Sequence, residues 1–308
     1  MPSGKVTVAV VGATGFTGAE TLRWCLGHPE LEVVGATSGR QAGKRLDAVW
    51  PAFLGHSDLV LTAEPPKADV YFLALPHGEA GAVSAKLRGR VIVDLSSDHR
   101  VGHPDWVYGL PEANAERLRG ASRIANPGCF ATAIALALLP FRGSLPPVVH
   151  AVGLTGSTGS GAAPSETTHH PMRAENLRPY KVLAHQHAPE VIAALGGGFA
   201  LDFVPISAPI RRGILATMPI PGASRDALRA FYEGNPLARV VDGAPDVLPV
   251  LGSPRADLGI VAGEAGRAVV FCAIDNLTRG AGSQAVANVN LAMGWPVDLG
   301  LRAIPPVP

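Results

Sequence analysis

The sequence predicts an α/β protein in two parts, a doubly wound parallel sheet followed by an α+β module. Three observations predict this fold class. Apolar strands alternate with helical segments up to about residue 120, a glycine-rich turn follows the first strand, and after Pro140 the strands become more frequent. A chain of 308 residues with 47% hydrophobic content can bury a core in each part. We place the first domain at 1–128, completed by a C-terminal helix within 279–308, and the second at 129–278.

The first strand leads into a glycine pattern typical of nucleotide sites. An apolar run at 5–12 is followed by Gly12-Ala-Thr-Gly15-Phe-Thr-Gly18 and a helix at 19–26. The spacing is G-x-x-G-x-x-G, less common than G-x-G-x-x-G, but strand, turn and helix come in the order that a dinucleotide site requires. Such glycines let backbone N–H groups approach a pyrophosphate. The alternative is a glycine-rich connection that binds nothing.

The residues after the second strand favour NADP over NAD. Enzymes that use NAD usually carry an acidic residue there for the ribose hydroxyls. This chain has Ser38 and Arg40, whose hydroxyl and guanidinium suit a 2′-phosphate, although Arg40 could also be a solvated loop cation. Apolar segments and helices continue the alternating pattern. The strands are predicted at 31–36, 69–75 and 90–95, and the helices near 78–88 and 111–119.

Cys129 is the strongest candidate for a nucleophile. The segment Asn126-Pro-Gly-Cys129 joins the end of a strand at 123–125 to an alanine- and leucine-rich helix at 130–139. At a helix N-terminus the exposed N–H groups and the macrodipole favour a thiolate. A buried structural cysteine is the alternative, and it is our prediction for Cys25 and Cys272.

Histidines are concentrated in the second half. His185 and His187 are predicted on the same side of an extended segment, with Glu190 as an orienting carboxylate, so a general acid/base beside the cysteine is the favoured interpretation. A metal site is disfavoured because no cysteine or acidic cluster with ligand spacing accompanies the pair. His169 and His170 are assigned to loop packing or substrate contact. Strands are predicted at 203–210, 213–220, 258–263 and 267–275, and a last helix at 280–293.

Composition narrows the function classes. A formal net charge of +1 gives no electrostatic reason to expect a nucleic-acid partner. The apolar runs are too short or too interrupted to span a bilayer, and no signal peptide is predicted. Three cysteines make no even disulfide framework, which favours a reducing cytoplasm.

Together these motifs resemble a known enzyme family over essentially the whole chain. They are Gly12-Ala-Thr-Gly-Phe-Thr-Gly18, Leu75-Pro-His77, Asp94-Leu-Ser-Ser-Asp-His-Arg100, Asn126-Pro-Gly-Cys129, Gly156-Ser-Thr-Gly-Ser-Gly161, Tyr180-Lys-Val182, His185-Gln-His-Ala-Pro-Glu190, Arg212-Gly-Ile-Leu215 and Asp275-Asn-Leu277. The chain resembles N-acetyl-γ-glutamyl-phosphate reductase of arginine biosynthesis. The resemblance implies a Rossmann-type domain, a glyceraldehyde-phosphate-dehydrogenase-like catalytic domain, NADP, a small acyl phosphate substrate and a homo-oligomer, either dimer or tetramer.

The resemblance also implies roles for individual residues. Cys129 becomes the nucleophile that forms a thioester, His187 the acid/base, and His185 a substrate contact. Substrate binding is further assigned to Arg100 and Arg212, as candidates for the phosphate, and to Glu190. The implied cofactor site comprises Gly12, Thr14, Gly15, Phe16, Thr17, Gly18, Ser38, Arg40, Pro76, Ser96, Gly159 and Asn276, the last close to the nicotinamide.

Some residues depart from the family pattern. The usual arginine between the two histidines is Gln186, and the usual aromatic residue before Arg100 is His99. The stretches 168–171 and 293–296 resemble sister reductases of lysine biosynthesis, which act on an aminoadipyl phosphate linked to a carrier protein. Two rivals remain, an aspartate-semialdehyde dehydrogenase and a non-catalytic NADP-binding sensor. The His-x-His-x-Pro-Glu segment argues against the first, and the retention of both Cys129 and His187 argues against the second.

Overall fold

A computed structural model describes residues 4–305, which fold into two compact units. The first unit comprises 4–127 and Ala281–Arg302, and the second comprises Gly128–Gly280 with 303–305. The chain therefore passes between units at 127/128 and at 280/281, whereas the predicted boundaries lie at 128/129 and 278/279. The short tail at 303–305 belongs to the second unit, not to the first as predicted.

The first unit contains a six-stranded sheet and its helices. Its elements up to the crossover are β1 Val6–Val11, α1 Phe16–Leu26, β2 Leu31–Thr37, α2 Leu46–Val49, β3 Val70–Leu73, α3 Ala80–Ser84, β4 Val91–Asp94, β5 Val107–Tyr108, α4 Pro111–Leu118 and β6 Arg123–Ala125. The sheet order is β2-β1-β3-β4-β6-β5 and every pairing is parallel. Because β2 and β3 lie on opposite sides of β1, the carboxyl end of β1 is a switch point, where such sheets bind ligands.

The second unit is built on a mixed sheet. Its elements are α5 Cys129–Leu138, β7 Val148–Thr155, α6 His170–Arg173, β8 Arg178–Pro179, α7 His187–Ala194, β9 Ala200–Ser207, β10 Ile214–Pro219, α8 Arg225–Tyr232, β11 Ala238–Val240, β12 Ala256–Ala262 and β13 Ala268–Ile274. The sheet order is β11-β12-β13-β10-β7-β9-β8. A π-helical turn, Thr278–Gly282, then leads into α9, Ser283–Met293, in the first unit.

Helix α5 forms the core of the second unit. It packs on β10 and β13 and against α7, and every one of its residues except Cys129 is buried. Strands β7 and β9 alternate buried and more exposed residues, so one face of the sheet lies under this helical layer and the other is more open. A helix that is apolar all round is held firmly by packing, which fixes the position of its first residue.

Candidate active site

Cys129 is the first residue of α5 and the one partly exposed residue of that helix. Gly128 is the N-cap in an extended conformation, and its N–H group donates a hydrogen bond of 2.7 Å to Oε1 of Glu190. Glu190 lies in α7 and is 2% exposed. The structure therefore uses this carboxylate to hold the residue before the candidate nucleophile.

The π-helical turn packs directly against Cys129. A Cβ atom added to Gly280 would lie 2.7 Å from the Cβ of Cys129, closer than real side chains approach. The turn is held by Asp275, which is fully buried and accepts hydrogen bonds from the N–H groups of Gly252 and Leu277. Arg212 neutralises that carboxylate, with Nε 2.9 Å from its Oδ2. Arg212, predicted to bind phosphate, thus pairs with an acid inside the protein.

The two imidazoles lie together, but the segment between them is not extended as predicted. Gln186 has helical dihedral angles, and His187 begins α7, because Pro189 in the first helical turn removes an N–H group that would have no helical partner. The ring centroids of His185 and His187 are 4.6 Å apart. Phe130, next to the cysteine, has its ring centroid 5.8 Å from that of His185 and 6.3 Å from that of His187. The cysteine end of α5 and both imidazoles therefore share one aromatic cluster.

His185 is a buried, neutral imidazole at physiological pH. It is 5% exposed, and burial together with the charge of Lys181 lowers its pKa to about 4. Its Nδ1 accepts a hydrogen bond of 3.2 Å from the backbone N–H of His187, so the proton of the neutral ring sits on Nε2. His185 can thus donate a hydrogen bond to an anionic or carbonyl oxygen but has no charge of its own.

This lowered pKa predicts a pH effect on stability. Between about pH 6.5 and pH 4 the unfolded chain binds a proton at His185 that the folded chain excludes, so the free energy of unfolding falls as the pH falls. The contribution is at most roughly 3 kcal/mol. Urea unfolding at pH 7.5 and 4.5 should show a smaller loss of stability for His185→Gln than for wild type. Equal losses in the two proteins would contradict the assignment.

Tyr180 packs beside the imidazole of His185. Its ring centroid lies 5.6 Å from that of His185. Burial raises its pKa, and the charge of Cys129 raises it further, so the phenol stays protonated. Three non-glycine residues around it adopt left-handed backbone conformations, with φ of 58° at Glu175, 44° at Lys181 and 58° at Leu183. Such conformations cost free energy and are concentrated at functional sites.

Asn276, predicted to lie near a nicotinamide, also has a structural role. It is 2% exposed, its Oδ1 accepts from the N–H of Gly213 at 2.8 Å, and its Nδ2 donates to Oγ1 of Thr158 at 3.0 Å. Thr158 and Gly159 belong to a 3₁₀ turn, Ser157–Ser160, that follows β7. Asn276 therefore joins this glycine-rich turn to the start of β10.

In the first unit the glycine-rich turn lies at the switch point of the sheet. Gly12 has φ +88°, and a Cβ there would lie 2.3 Å from the carbonyl oxygen of Ala74. A Cβ at Gly18 would lie 2.2 Å from the carbonyl oxygen of Gly12. Both glycines are thus required by the fold. A Cβ at Gly15, the N-cap of α1, would meet only the carbonyl oxygen of Gly12 at 3.7 Å, so the protein itself does not demand glycine there.

The end of β2 carries hydroxyls and no acidic side chain. Ser38 is 6% exposed, and its Oγ lies 3.1 Å from Oγ1 of Thr14 on the glycine-rich turn. Arg40 is exposed, and within residues 4–305 it forms no ion pair. The predicted residues Phe16 and Thr17 open α1, and Pro76 follows β3.

Two further predicted residues support the segment that leads to the cysteine. Arg100 donates from Nε to the carbonyl oxygen of Asn126 and from Nη2 to that of Leu95, each at 2.8 Å. Ser96 is 1% exposed and donates through Oγ to Asp94 at 3.0 Å. Arg100 thus binds backbone carbonyl groups of the first unit, and Ser96 binds a buried carboxylate there. The ligand contacts predicted for the two residues would come in addition to these.

Sequence reasoning missed three contributors to the site. Gly280 has no assigned role because its contact with Cys129 joins distant parts of the chain, and Asp275, although part of a quoted motif, has none because Gly252 is also distant in sequence. Tyr180 belongs to a quoted motif but has no assigned role, because its position directly after β8 gives no chemical signal by itself. Among the described residues no helix is long and apolar enough to cross a membrane, and none of their His, Cys, Asp and Glu side chains form a group able to hold a metal ion.

Family models match both units. Residues 7–121 match the semialdehyde dehydrogenase NAD-binding domain, and residues 129–276 match the semialdehyde dehydrogenase dimerisation domain. Solved structures of aspartate semialdehyde dehydrogenases share the fold. That of the Vibrio cholerae enzyme II has a TM-score of 0.77 at 17% identity, covering 94% of this chain and 98% of that one. One from Candida albicans, solved with NADP, has a TM-score of 0.71 at 16% identity, covering 94% and 99%.

Curated relatives resemble the chain more closely. An N-acetyl-γ-glutamyl-phosphate reductase of Salinispora arenicola is 42% identical over 97% of this chain and 98% of its own. A LysW-L-2-aminoadipate 6-phosphate reductase of Deinococcus radiodurans is 40% identical over 98% of each chain. The chain therefore belongs to the semialdehyde dehydrogenase family of oxidoreductases, within the group of N-acetyl-γ-glutamyl-phosphate reductases and their aminoadipyl-phosphate sister enzymes.

Proposed function

We propose that this protein reduces N-acetyl-γ-glutamyl phosphate to N-acetylglutamate semialdehyde with NADPH, releasing phosphate, in arginine biosynthesis in the cytoplasm. The observation that carries the proposal is the placement of Cys129 at the start of a buried helix whose next residue, Phe130, packs against both imidazoles. The names of the relatives favour an acyl phosphate as the substrate class. A thiol beside imidazoles is the arrangement that acyl transfer requires.

In the first step the Cys129 thiolate attacks the acyl carbon. A sulfur–carbon bond forms, the carbon–oxygen bond to phosphate breaks, and its electron pair leaves with the phosphate, giving a thioester on the protein. Gly128, held by Glu190, and Gly280, packed on Cys129, fix the position of the sulfur. Holding the reacting atoms in place removes an entropic part of the barrier.

In the second step the thioester is reduced. A bound nicotinamide cofactor supplies the hydride. His187 donates the proton that the developing alkoxide needs and takes it back when the thiolate leaves, which is general acid/base catalysis. His185 stays neutral and donates from Nε2, so it orients an oxygen of the substrate without competing for that proton.

The first unit fits a dinucleotide. A side chain at Gly15 would meet only the carbonyl oxygen of Gly12, at 3.7 Å, so the space beside this glycine is open. Gly15 caps the N-terminus of the 11-residue helix α1, and a helix N-terminus is where a pyrophosphate binds. The residues that would hold it are those of the turn Gly12–Gly18, with Ser38 beside Thr14 for the ribose. A 2′-phosphate suits this end of β2 because Arg40 is exposed and forms no ion pair within residues 4–305. The position where NAD enzymes usually carry an acidic residue has Ser38 and Arg40 instead.

The cofactor preference gives a prediction. Wild type should bind NADPH well over tenfold tighter than NADH, since a hydrogen bond to a charged group contributes roughly 1.5–3 kcal/mol. Arg40→Ala should weaken NADPH binding by about tenfold and leave NADH binding unchanged, measured by fluorescence titration. Arg142→Ala, which removes an exposed arginine of the second unit, is the control. Equal affinity of wild type for both cofactors would refute the assignment.

The second unit supports a homo-oligomer, a dimer or tetramer. It matches the dimerisation domain of the family, and the open face of its sheet carries exposed apolar side chains. Val148 and Val152 on β7 are 40% and 38% exposed. Covering such a face with a second copy would bury apolar surface and stabilise the assembly.

A second candidate function is reduction of a carrier-linked aminoadipyl phosphate. The similarity to the Deinococcus radiodurans enzyme and the segment Thr168-His-His-Pro171 favour it. A spectrophotometric assay of NADP reduction with phosphate and a semialdehyde separates the two. We expect oxidation of free N-acetylglutamate semialdehyde. Activity only on carrier-linked aminoadipate semialdehyde would overturn the choice of substrate.

A further inference from the structure

Arg173, at the end of α6, is a buried cation that has no acidic partner among residues 4–305. It is 8% exposed, and its Nη1 donates a hydrogen bond of 3.0 Å to the Oγ of Ser160. Its Nε is buried with no hydrogen-bond partner, and no carboxylate of residues 4–305 lies within ion-pair distance of it. Arg212 and Arg239, by contrast, each pair with a buried aspartate.

A guanidinium in this position is unfavourable until an anion binds. Burying a charge without a counter-charge costs several kcal/mol, and arginine does not escape by losing its proton at neutral pH. Burial and the positive charge of Arg178 both lower the pKa of Arg173, so two cations lie close enough to repel each other. A doubly charged ligand relieves this repulsion better than a singly charged one does.

Arg173 contacts a turn of the second unit, the unit that also carries the reacting thiol. Ser160, its hydrogen-bond partner, belongs to the 3₁₀ turn after β7 that Asn276 holds through Thr158. Tyr180 experiences the charges of both Cys129 and Arg173. One tyrosine side chain is therefore within electrostatic range of the nucleophile and of this guanidinium.

We propose that Arg173 binds the phosphoryl group of the acyl phosphate, and inorganic phosphate when the reaction runs in reverse. This inference rests on the proposed function. A phosphate dianion supplies several acceptor oxygens for the free Nε and for Nη groups, and the Ser160 hydroxyl lies beside them. The arginine predicted for this purpose in the second unit, Arg212, already neutralises Asp275.

The test measures phosphate and aldehyde separately. In the direction of aldehyde oxidation, inorganic phosphate and the semialdehyde, which carries the carboxylate, are separate substrates. Each therefore has its own KM. Arg173→Ala should raise the KM for inorganic phosphate at least tenfold, leave the KM for the semialdehyde within twofold, and keep kcat near wild type at saturating phosphate. Arg173→Lys should restore part of the phosphate affinity, and Arg142→Ala, an exposed arginine of the same unit, should change nothing. A raised KM for the semialdehyde alone would assign Arg173 to the carboxylate and overturn the proposal.

A second measurement does not depend on turnover or on the identity of the acyl chain. Inorganic phosphate should slow alkylation of Cys129 by iodoacetamide in wild type, and Arg173→Ala should need at least tenfold more phosphate for the same protection. If phosphate protects both proteins equally, the inference fails while the proposed function stands. If wild type oxidises neither semialdehyde yet shows protection that depends on Arg173, the proposed function fails and the phosphate site stands.

Discussion

Cys129→Ser should lose almost all reductase activity while folding and binding NADPH as wild type does. The change is nearly isosteric, and serine at the start of α5 is well tolerated by a helix end. A hydroxyl group is a far weaker nucleophile than a thiolate toward an acyl phosphate, so we expect kcat to fall by several orders of magnitude. Steady-state kinetics, circular dichroism and cofactor titration measure the three quantities on one preparation.

Cys25 provides the matched control. It is fully buried in α1, and burial raises the pKa of its thiol, so it stays protonated. Cys25→Ala should retain turnover with a packing cost to stability of about 1 kcal/mol. His187→Asn should fall between these variants, losing on the order of a hundredfold in kcat. Near-normal activity of Cys129→Ser would show that the reaction does not pass through a thioester.

Gly280→Ala should reduce kcat/KM on the order of a hundredfold without any change in the reacting groups. The added methyl would lie 2.7 Å from the Cβ of Cys129, so either the turn or the start of α5 must move. A displacement of roughly 1 Å in a catalytic group is enough for a loss of this size. Kinetics and the rate of Cys129 alkylation should both change, whereas NADPH affinity should not.

Gly143→Ala is the matched control for this effect. Gly143 lies in the same unit, has no positive φ, and a Cβ there would meet nothing within 4 Å. It should retain wild-type kinetics, and thermal unfolding of both variants would show whether Gly280→Ala remains folded. A folded Gly280→Ala protein with wild-type kcat/KM would mean that the close packing of the turn does not position the sulfur.

Local patterns in the sequence predict the parts of the site that are local in the chain. The run from β1 through the glycine-rich turn into α1 lies where the strand and glycine pattern places it, and α5 begins at Cys129, one residue before the predicted start. These elements depend on hydrophobic periodicity and helix-end chemistry, which neighbouring residues determine.

Other parts depend on contacts between distant residues. Nothing near Glu190 in sequence indicates that its carboxylate accepts the N–H of Gly128, and nothing near Gly280 indicates that it packs on Cys129. The extended segment predicted for 185–187 is wrong at Gln186, which has helical dihedral angles and caps α7, and Pro189 in the first turn is compatible with that helix. Strand β8 has two residues and exists through its pairing with β9, which no periodicity can indicate.

The carboxylate of Glu190 has a consequence for resistance to oxidation. It accepts a hydrogen bond from Gly128, at the end of α5 whose positive partial charge would otherwise favour a thiolate at Cys129. The carboxylate and a thiolate would therefore compete for the same positive helix end. We therefore expect this helix end to stabilise a thiolate less than a helix N-terminus without a bound carboxylate would. Peroxides attack thiolates faster than thiols. In the enzyme without substrate we therefore expect Cys129 to be oxidised more slowly than a cysteine at a helix N-terminus to which no carboxylate is bound.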